Sequence, residues 1–204
     1  MPPALNSCST YALGALGGMH GRPLQKDDVL PVNDVIPAVG QGRTVPQSLL
    51  RPIGKEVTLR MVEGLYIHRL TPDSVTQFYQ DEWTVASEAD RIGYRFKNGH
   101  PLQFIPRTQP FGAGSDPSNI VDACYPIGSV QVPAGKEPIV LLRDAVSGGG
   151  YATIGTVISA DLERIGQMQP NYKAVFQPVT MEEALQIRHE SHAQLAQLRA
   201  HLTR

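Results

Sequence analysis

The chain has 204 residues, 41% of them hydrophobic, 18% charged and 6% aromatic, with a formal net charge of −1. A balance so close to neutral gives no electrostatic footprint for wrapping nucleic acid or coating an anionic membrane. The longer apolar stretches, such as 139–142 and 151–160, fall far short of the ~20 residues a membrane helix needs. Two cysteines, Cys8 and Cys124, are too few for a disulfide framework in a chain this size and read as reduced thiols. Met1-Pro2-Pro3-Ala4 shows no basic stretch leading into an apolar one, so no secretory signal is read there and a cytoplasmic location is expected.

In chain order, the first 55 residues are loop-heavy. Gly14, Gly17, Gly18 and Gly21 crowd one segment, and Pro31, Pro37, Pro46 and Pro52 break up the next. Between Val32 and Lys55 no run carries a helical or strand period, which predicts an extended connector. From Glu56 the pattern sharpens: Val57, Leu59 and Met61 alternate with Thr58, Arg60 and Val62, the two-residue period of a half-buried strand. Thr71-Pro72-Asp73 supplies an N-cap, a proline at the first helical position and an acid in the first turn, predicting a helix from Pro72 to Gln80. Strands are predicted at 83–85, 92–96, 127–132 and 138–142, the last two separated by a tight corner at Pro133–Glu137. The β-branched run 151–158 reads as one buried strand, followed by a short helix capped at Ser159-Ala160-Asp161 and ending near Gly166. A last strand covers 172–176. Thr180-Met181-Glu182-Glu183 has capping-box form and opens a helix to about His201. Nineteen glycines and 17 prolines add turns between these short strands. The expected class is mainly β (α+β): a closed or nearly closed barrel with short helices and a C-terminal helix.

Several chemistries fail on spacing. Gly54-Lys55 and Gly135-Lys136 are each followed by Glu and lack the upstream glycine of a phosphate loop, and the glycines at 14–21 do not fit the dinucleotide fingerprint. Neither Ser115 nor Ser147 has the flanking glycines of a nucleophile elbow. His189 and His192 lie three apart with no helical partners to complete a metal set, so a solvated helix face is the better reading and no metal is expected.

Two stretches remain. In Asp90-Arg91-Ile92-Gly93-Tyr94-Arg95, two arginines four apart share a face if the chain is extended, and their forks suit a carboxylate. An Asp90–arginine ion pair tying a turn to a strand is the competing reading. In the other, the strand period puts Ser129 and Gln131 on one face, and Gly148-Gly149-Gly150 after Asp144 offers N–H groups for an anion nest. Here the competing reading is a hairpin tip.

These segments, together with 128–133 and Gly149-Gly150-Tyr151 leading into Thr156-Val157-Ile158, resemble the carboxyltransferase-domain family that includes allophanate hydrolase subunit 2, the C subunit of 5-oxoprolinase and the carboxyltransferase domain of urea carboxylase. The opening Ser7-Cys8-Ser9-Thr10-Tyr11, Gly17-Gly18, Gly21-Arg22, Leu24 and Asp28-Val29-Leu30 is similar to a segment of that family, as is Pro117-Ser118-Asn119-Ile120. The resemblance implies a cyclophilin-like barrel at 56–204, preceded at 1–55 by the remnant of another subdomain and a connector. It implies that the chain starts inside the family pattern, as an N-terminally truncated fragment. It also implies work with a companion subunit of the allophanate hydrolase subunit 1 type on a small amide or lactam (urea, allophanate or 5-oxoproline), as a C–N hydrolase or carboxyltransferase. ATP or carboxybiotin is the implied cofactor, bound in part by the partner. Expected substrate contacts are Arg91, Tyr94, Arg95, Asn119, Gln131, Gly149, Gly150 and Tyr151, with Asp144 or Asp90 as proton acceptor. The alternative is a non-catalytic module that regulates a partner protein.

Overall fold

The computed structural model describes residues 3–31, 44–50 and 54–203. Most of the expected connector lies outside these residues. The chain divides into two compact units, Met1–Thr44 and Val45–Arg204.

In the first unit, short bridges join Ala4 to Ser7 and Tyr11 to Leu16. The Arg22 guanidinium grips Asp28 through two bonds of 2.8 and 2.7 Å, and the same carboxylate accepts the Gln25 N–H at 2.7 Å. Arg22 above all, then the Gln25 donor, holds the Asp28 pKa well below the usual carboxylate range. The arginine and the aspartate of the opening motif are thus partners.

The second unit is a closed barrel of seven strands in the order β1-β8-β5-β6-β3-β2-β9, with a separate two-stranded ribbon, β4–β7. The strands are β1 (Glu56–Glu63), β2 (Trp83–Ala89), β3 (Gly93–Lys97), β4 (Asn119–Cys124), β5 (Ser129–Gln131), β6 (Ile139–Leu141), β7 (Gly148–Tyr151), β8 (Thr153–Val157) and β9 (Lys173–Pro178). β1 closes the ring by pairing parallel to β9 and antiparallel to β8, which leaves the barrel no free edge to aggregate through. The helices are α1 (Pro72–Gln80), α2 (Ser159–Ile165) and α3 (Met181–Thr203). None of them is long and apolar enough to cross a membrane.

The alternation read in β1 is the one observed: Val57, Leu59 and Met61 are buried while Glu56 and Thr58 are exposed. Inside the barrel, Phe176 stacks on Phe78 with ring centroids 4.9 Å apart and meets Phe96 edge-on at 5.5 Å. Trp83 is fully buried and donates its indole N–H to the Phe78 carbonyl at 3.0 Å. Each such side chain contributes about 1.5–3 kcal/mol by leaving water.

Several local expectations change. Thr71 starts α1 without a side-chain cap bond, and its hydroxyl is buried without a partner. Ile158 stands at the start of α2, and the Asp161 carboxylate is taken by Arg60 at 2.7 and 2.9 Å instead of by the helix end. The run 151–158 is two strands broken at Ala152, because β7 leaves the barrel to pair with β4 while β8 stays in the wall. The capping box of α3 forms as read: Thr180 N–H donates to Glu183 at 2.8 Å, and Glu183 N–H to Thr180 at 3.1 Å.

Candidate functional site

Register across β3, β6 and β5 decides which side chains share a face, since directly paired residues point the same way. Tyr94 pairs with Val140, and Val140 with Val130; Arg95 pairs with Ile139, and Ile139 with Gln131. Val130 and Val140 are fully buried, so their row faces the core. Tyr94 goes with them and donates its hydroxyl to the Met168 carbonyl at 3.3 Å. Strand alternation therefore removes Tyr94 from the expected substrate contacts. Arg95 and Gln131 lie on the opposite, outer face, two strands apart, roughly 9–10 Å at the backbone. Arg95 reaches Glu137 at 3.2 Å.

Gln131 is only 7% exposed despite facing outward. The cover is Tyr125, just past β4. Its hydroxyl donates to the Tyr151 carbonyl at 2.7 Å and accepts the Tyr151 N–H at 2.8 Å. The Gln131 side chain is turned to the same phenol, whose pKa burial pushes above its ordinary value against the opposing pull of those partners. The ring also lies on Gly149, where a Cβ would come within 3.0 Å of it. Asn119 pairs with Tyr151, and Ala123 with Gly149, across the ribbon. Beneath, Ser118 is fully buried: it accepts the Ala134 N–H at 2.9 Å and its carbonyl accepts the Ala152 N–H at 2.8 Å. Gln131, Gly149 and Tyr151 thus meet at Tyr125, while Asn119 pairs with Tyr151 across the ribbon and turns its amide toward Gly114. Gly148–Tyr151 run as strand β7, with no positive φ among the three glycines. That corrects the anion-nest expectation, since a nest needs alternating backbone hand.

Asp90, Arg91 and Asp144 form a different cluster. Arg91 lies in the turn ahead of β3, so it does not share the strand face of Arg95. It pairs with Asp144 through bonds of 2.7 and 2.8 Å, and the Asp144 N–H donates to the Arg91 carbonyl at 2.9 Å. Arg91 holds the Asp144 pKa below the usual range, which leaves a weak base. Asp90 accepts the Ile92 and Gly93 N–H groups at 2.8 and 3.1 Å. The turn is tied by Asp90 to its own backbone and by Arg91 to Asp144, so the competing turn reading describes it with a different acid.

Three residues outside the sequence reading border the Tyr125 cluster. Arg69 ends a 3-10 turn, Ile67–Arg69, and its guanidinium lies over the Tyr66 ring at 4.7 Å from the centroid. Its carbonyl accepts the Ile105 N–H at 2.7 Å, which lays residues 102–107 alongside. Arg107 comes next and donates from Nη2 to the Asn119 carbonyl at 2.8 Å. Arg69 Nη1 and Arg107 Nε are buried with no hydrogen-bond partner. Nothing local announces this pairing: neither Tyr66-Ile67-His68-Arg69 nor Pro106-Arg107 carries a spacing that signals a site. Among the described residues no group of three His, Cys, Asp or Glu side chains is gathered for a metal ion.

Three similarities bear on the assignment. The chain is 33% identical over 200 residues to the C subunit of 5-oxoprolinase from Haemophilus influenzae, spanning 98% of this chain and 59% of that protein. It is 29% identical over 187 residues to a putative urea carboxylase of Emericella nidulans, across 90% of this chain and 15% of that protein. The crystal structure of Kluyveromyces lactis urea carboxylase superposes with a TM-score of 0.77 at 28% identity, over 97% of this chain and 18% of that one. The chain spans about three-fifths of the bacterial relative and a small part of the fungal ones. With residues 1–178 also matching the family described as carboxyltransferase domain, subdomain A and B, the chain belongs to that carboxyltransferase-domain family.

Proposed function

We propose that this chain supplies a carboxyltransferase-type domain to a multi-subunit enzyme acting on a small amide or lactam of the urea, allophanate or 5-oxoproline class, together with a companion subunit of the allophanate hydrolase subunit 1 type. The observation that carries the reading is the meeting of Gln131, Gly149 and Tyr151 at the Tyr125 phenol, with Asn119 paired to Tyr151 beside them. An amide side chain such as Gln131 offers both a donor and an acceptor, the pattern a planar amide presents in mirror image. Donors fixed in a dry wall stabilise oxyanion character better than water does, because they need no reorganisation as charge develops.

Carboxybiotin joins a planar ureido ring to an anionic N-carboxylate; the Gln131 amide is of a type that would hold the ring, and when bound the group would supply an activated carboxyl. ATP fits less well. The N–H groups of 148–151 lie in a strand paired with β4, so they do not cradle a phosphate, and ATP takes no part in the chemistry proposed for this wall.

Reconstitution with the companion subunit tests the reading. Gln131→Leu is expected to lower turnover of the complex about tenfold, the cost of one hydrogen bond of about 1.5 kcal/mol, with assembly intact. Undiminished turnover removes the site, and failure of the wild-type chain to assemble with any companion removes the multi-subunit reading.

A further inference from the structure

Arg69 and Arg107 are like charges on two segments bonded to each other through their backbones, near enough to repel. Among the described residues no carboxylate pairs with either, and the Arg69 side chain donates no hydrogen bond. Arg69 Nη1 and Arg107 Nε are both shut away from solvent and unsatisfied. Burial first, then the neighbouring Arg107 charge, depress the Arg69 pKa. A buried cationic N–H without an acceptor is costly, and a second cation beside it adds repulsion. The backbone nevertheless enforces the arrangement: Thr71 N–H to Gln103 O at 2.8 Å and Ile105 N–H to Arg69 O at 2.7 Å lock the two segments together.

One kind of occupant removes both costs. A carboxylate presents two coplanar oxygens to the planar guanidinium forks. Tyr66 backs Arg69 from one side, and Arg107 is braced by the Asn119 carbonyl. That bond also fixes the place, since Asn119 pairs with Tyr151 in the amide-facing wall.

We infer that Arg69 and Arg107 form the receptor for the carboxylate of a small organic anion whose amide or lactam portion lies against the Tyr125 wall. The amide portion of this inference rests on the proposed function; the carboxylate portion rests on the two arginines alone. It separates ligand classes: a carboxylate-bearing lactam satisfies both parts of the site, whereas urea satisfies only the wall.

Calorimetric titration of the full chain at constant ionic strength tests it, with 5-oxoproline, its uncharged carboxamide, urea and orthophosphate as probes. The carboxylate is expected to bind at least tenfold more tightly than the carboxamide. Arg69→Met, which keeps the apolar stem over Tyr66, is expected to abolish that preference while leaving the anion-free melting temperature unchanged or higher, since it relieves repulsion. Should it misfold, Arg107→Lys retains the charge, loses the fork and is expected to weaken carboxylate binding about tenfold. Equal binding of carboxylate and carboxamide, binding of phosphate alone, or binding of no probe overturns the inference. Carboxylate binding without turnover in the reconstituted complex counts against the proposed function only, and turnover without carboxylate selectivity counts against the arginine receptor only.

Discussion

Replacing Tyr125 with Phe deletes a single oxygen from the joint between ribbon and barrel. The ring is 8% exposed, and its packing on Gly149 survives the change. The bond to the Tyr151 carbonyl at 2.7 Å and the one from the Tyr151 N–H at 2.8 Å disappear, together with the phenol that Gln131 faces. Two lost bonds at about 1 kcal/mol each, plus a partly stranded Gln131, give about 2–3 kcal/mol. For a chain of this size that is a drop of about 4–12 °C in melting temperature. Urea denaturation at fixed m measures it. Because Tyr125 and Gln131 share the joint, the double variant Tyr125→Phe/Gln131→Leu is expected to cost less than the sum of the singles. A loss below about 0.5 kcal/mol, with strict additivity, would refute the view that this hydroxyl pins the ribbon.

Asp161 is fully buried and takes the Arg60 backbone N–H at 2.9 Å as well as its guanidinium. Asp161→Ala leaves Arg60, about a third exposed, with only the weaker attraction of Glu190; a loss of about 2–4 kcal/mol is expected by denaturation, less than for a sealed pair because water reaches Arg60. Gly128 has φ +95°, and a Cβ there would meet the Val157 carbonyl at 2.7 Å, so Gly128→Ala is expected to destabilise by more than about 1 kcal/mol. Asp81 has its pKa lowered: burial acts to raise it, but the His100 N–H at 2.6 Å, Gln77 and the His100 ring together outweigh burial. A depressed folded-state pKa gives stability that is present above the unfolded value of about 3.9 and lost as pH falls through the folded one. Melting temperature is therefore expected to fall with acid below about pH 4, with a shallower slope in Asp81→Asn.

The strands and helices with a clean period were legible in the chain itself. β1, α1 and the capping box of α3 need only neighbours a few residues away, so their signals are local. β4 escaped because only Ile120 of its six residues is buried, leaving no alternation to detect. The helix caps expected at Thr71 and Ser159–Asp161 do not form as local chemistry suggests, and at Asp161 a distant partner outcompetes the helix end: Arg60 reaches it from β1. Family likeness named Asn119, Gln131 and 149–151 as expected contacts alongside Tyr94 and Arg95, but could not say that Tyr94 and Arg95 take opposite faces of β3.

Periodicity along the polymer settled that this is a strand-rich molecule of short elements, because burying alternate residues is written into composition and spacing. Closure of the ring, the departure of β7 to β4, the joint at Tyr125 and the unmatched pair Arg69–Arg107 were decided only in three dimensions. Each depends on which strand lies beside which and on which donor finds an acceptor first. No one-dimensional pattern encodes those choices, since they join residues brought together by register and chain reversal.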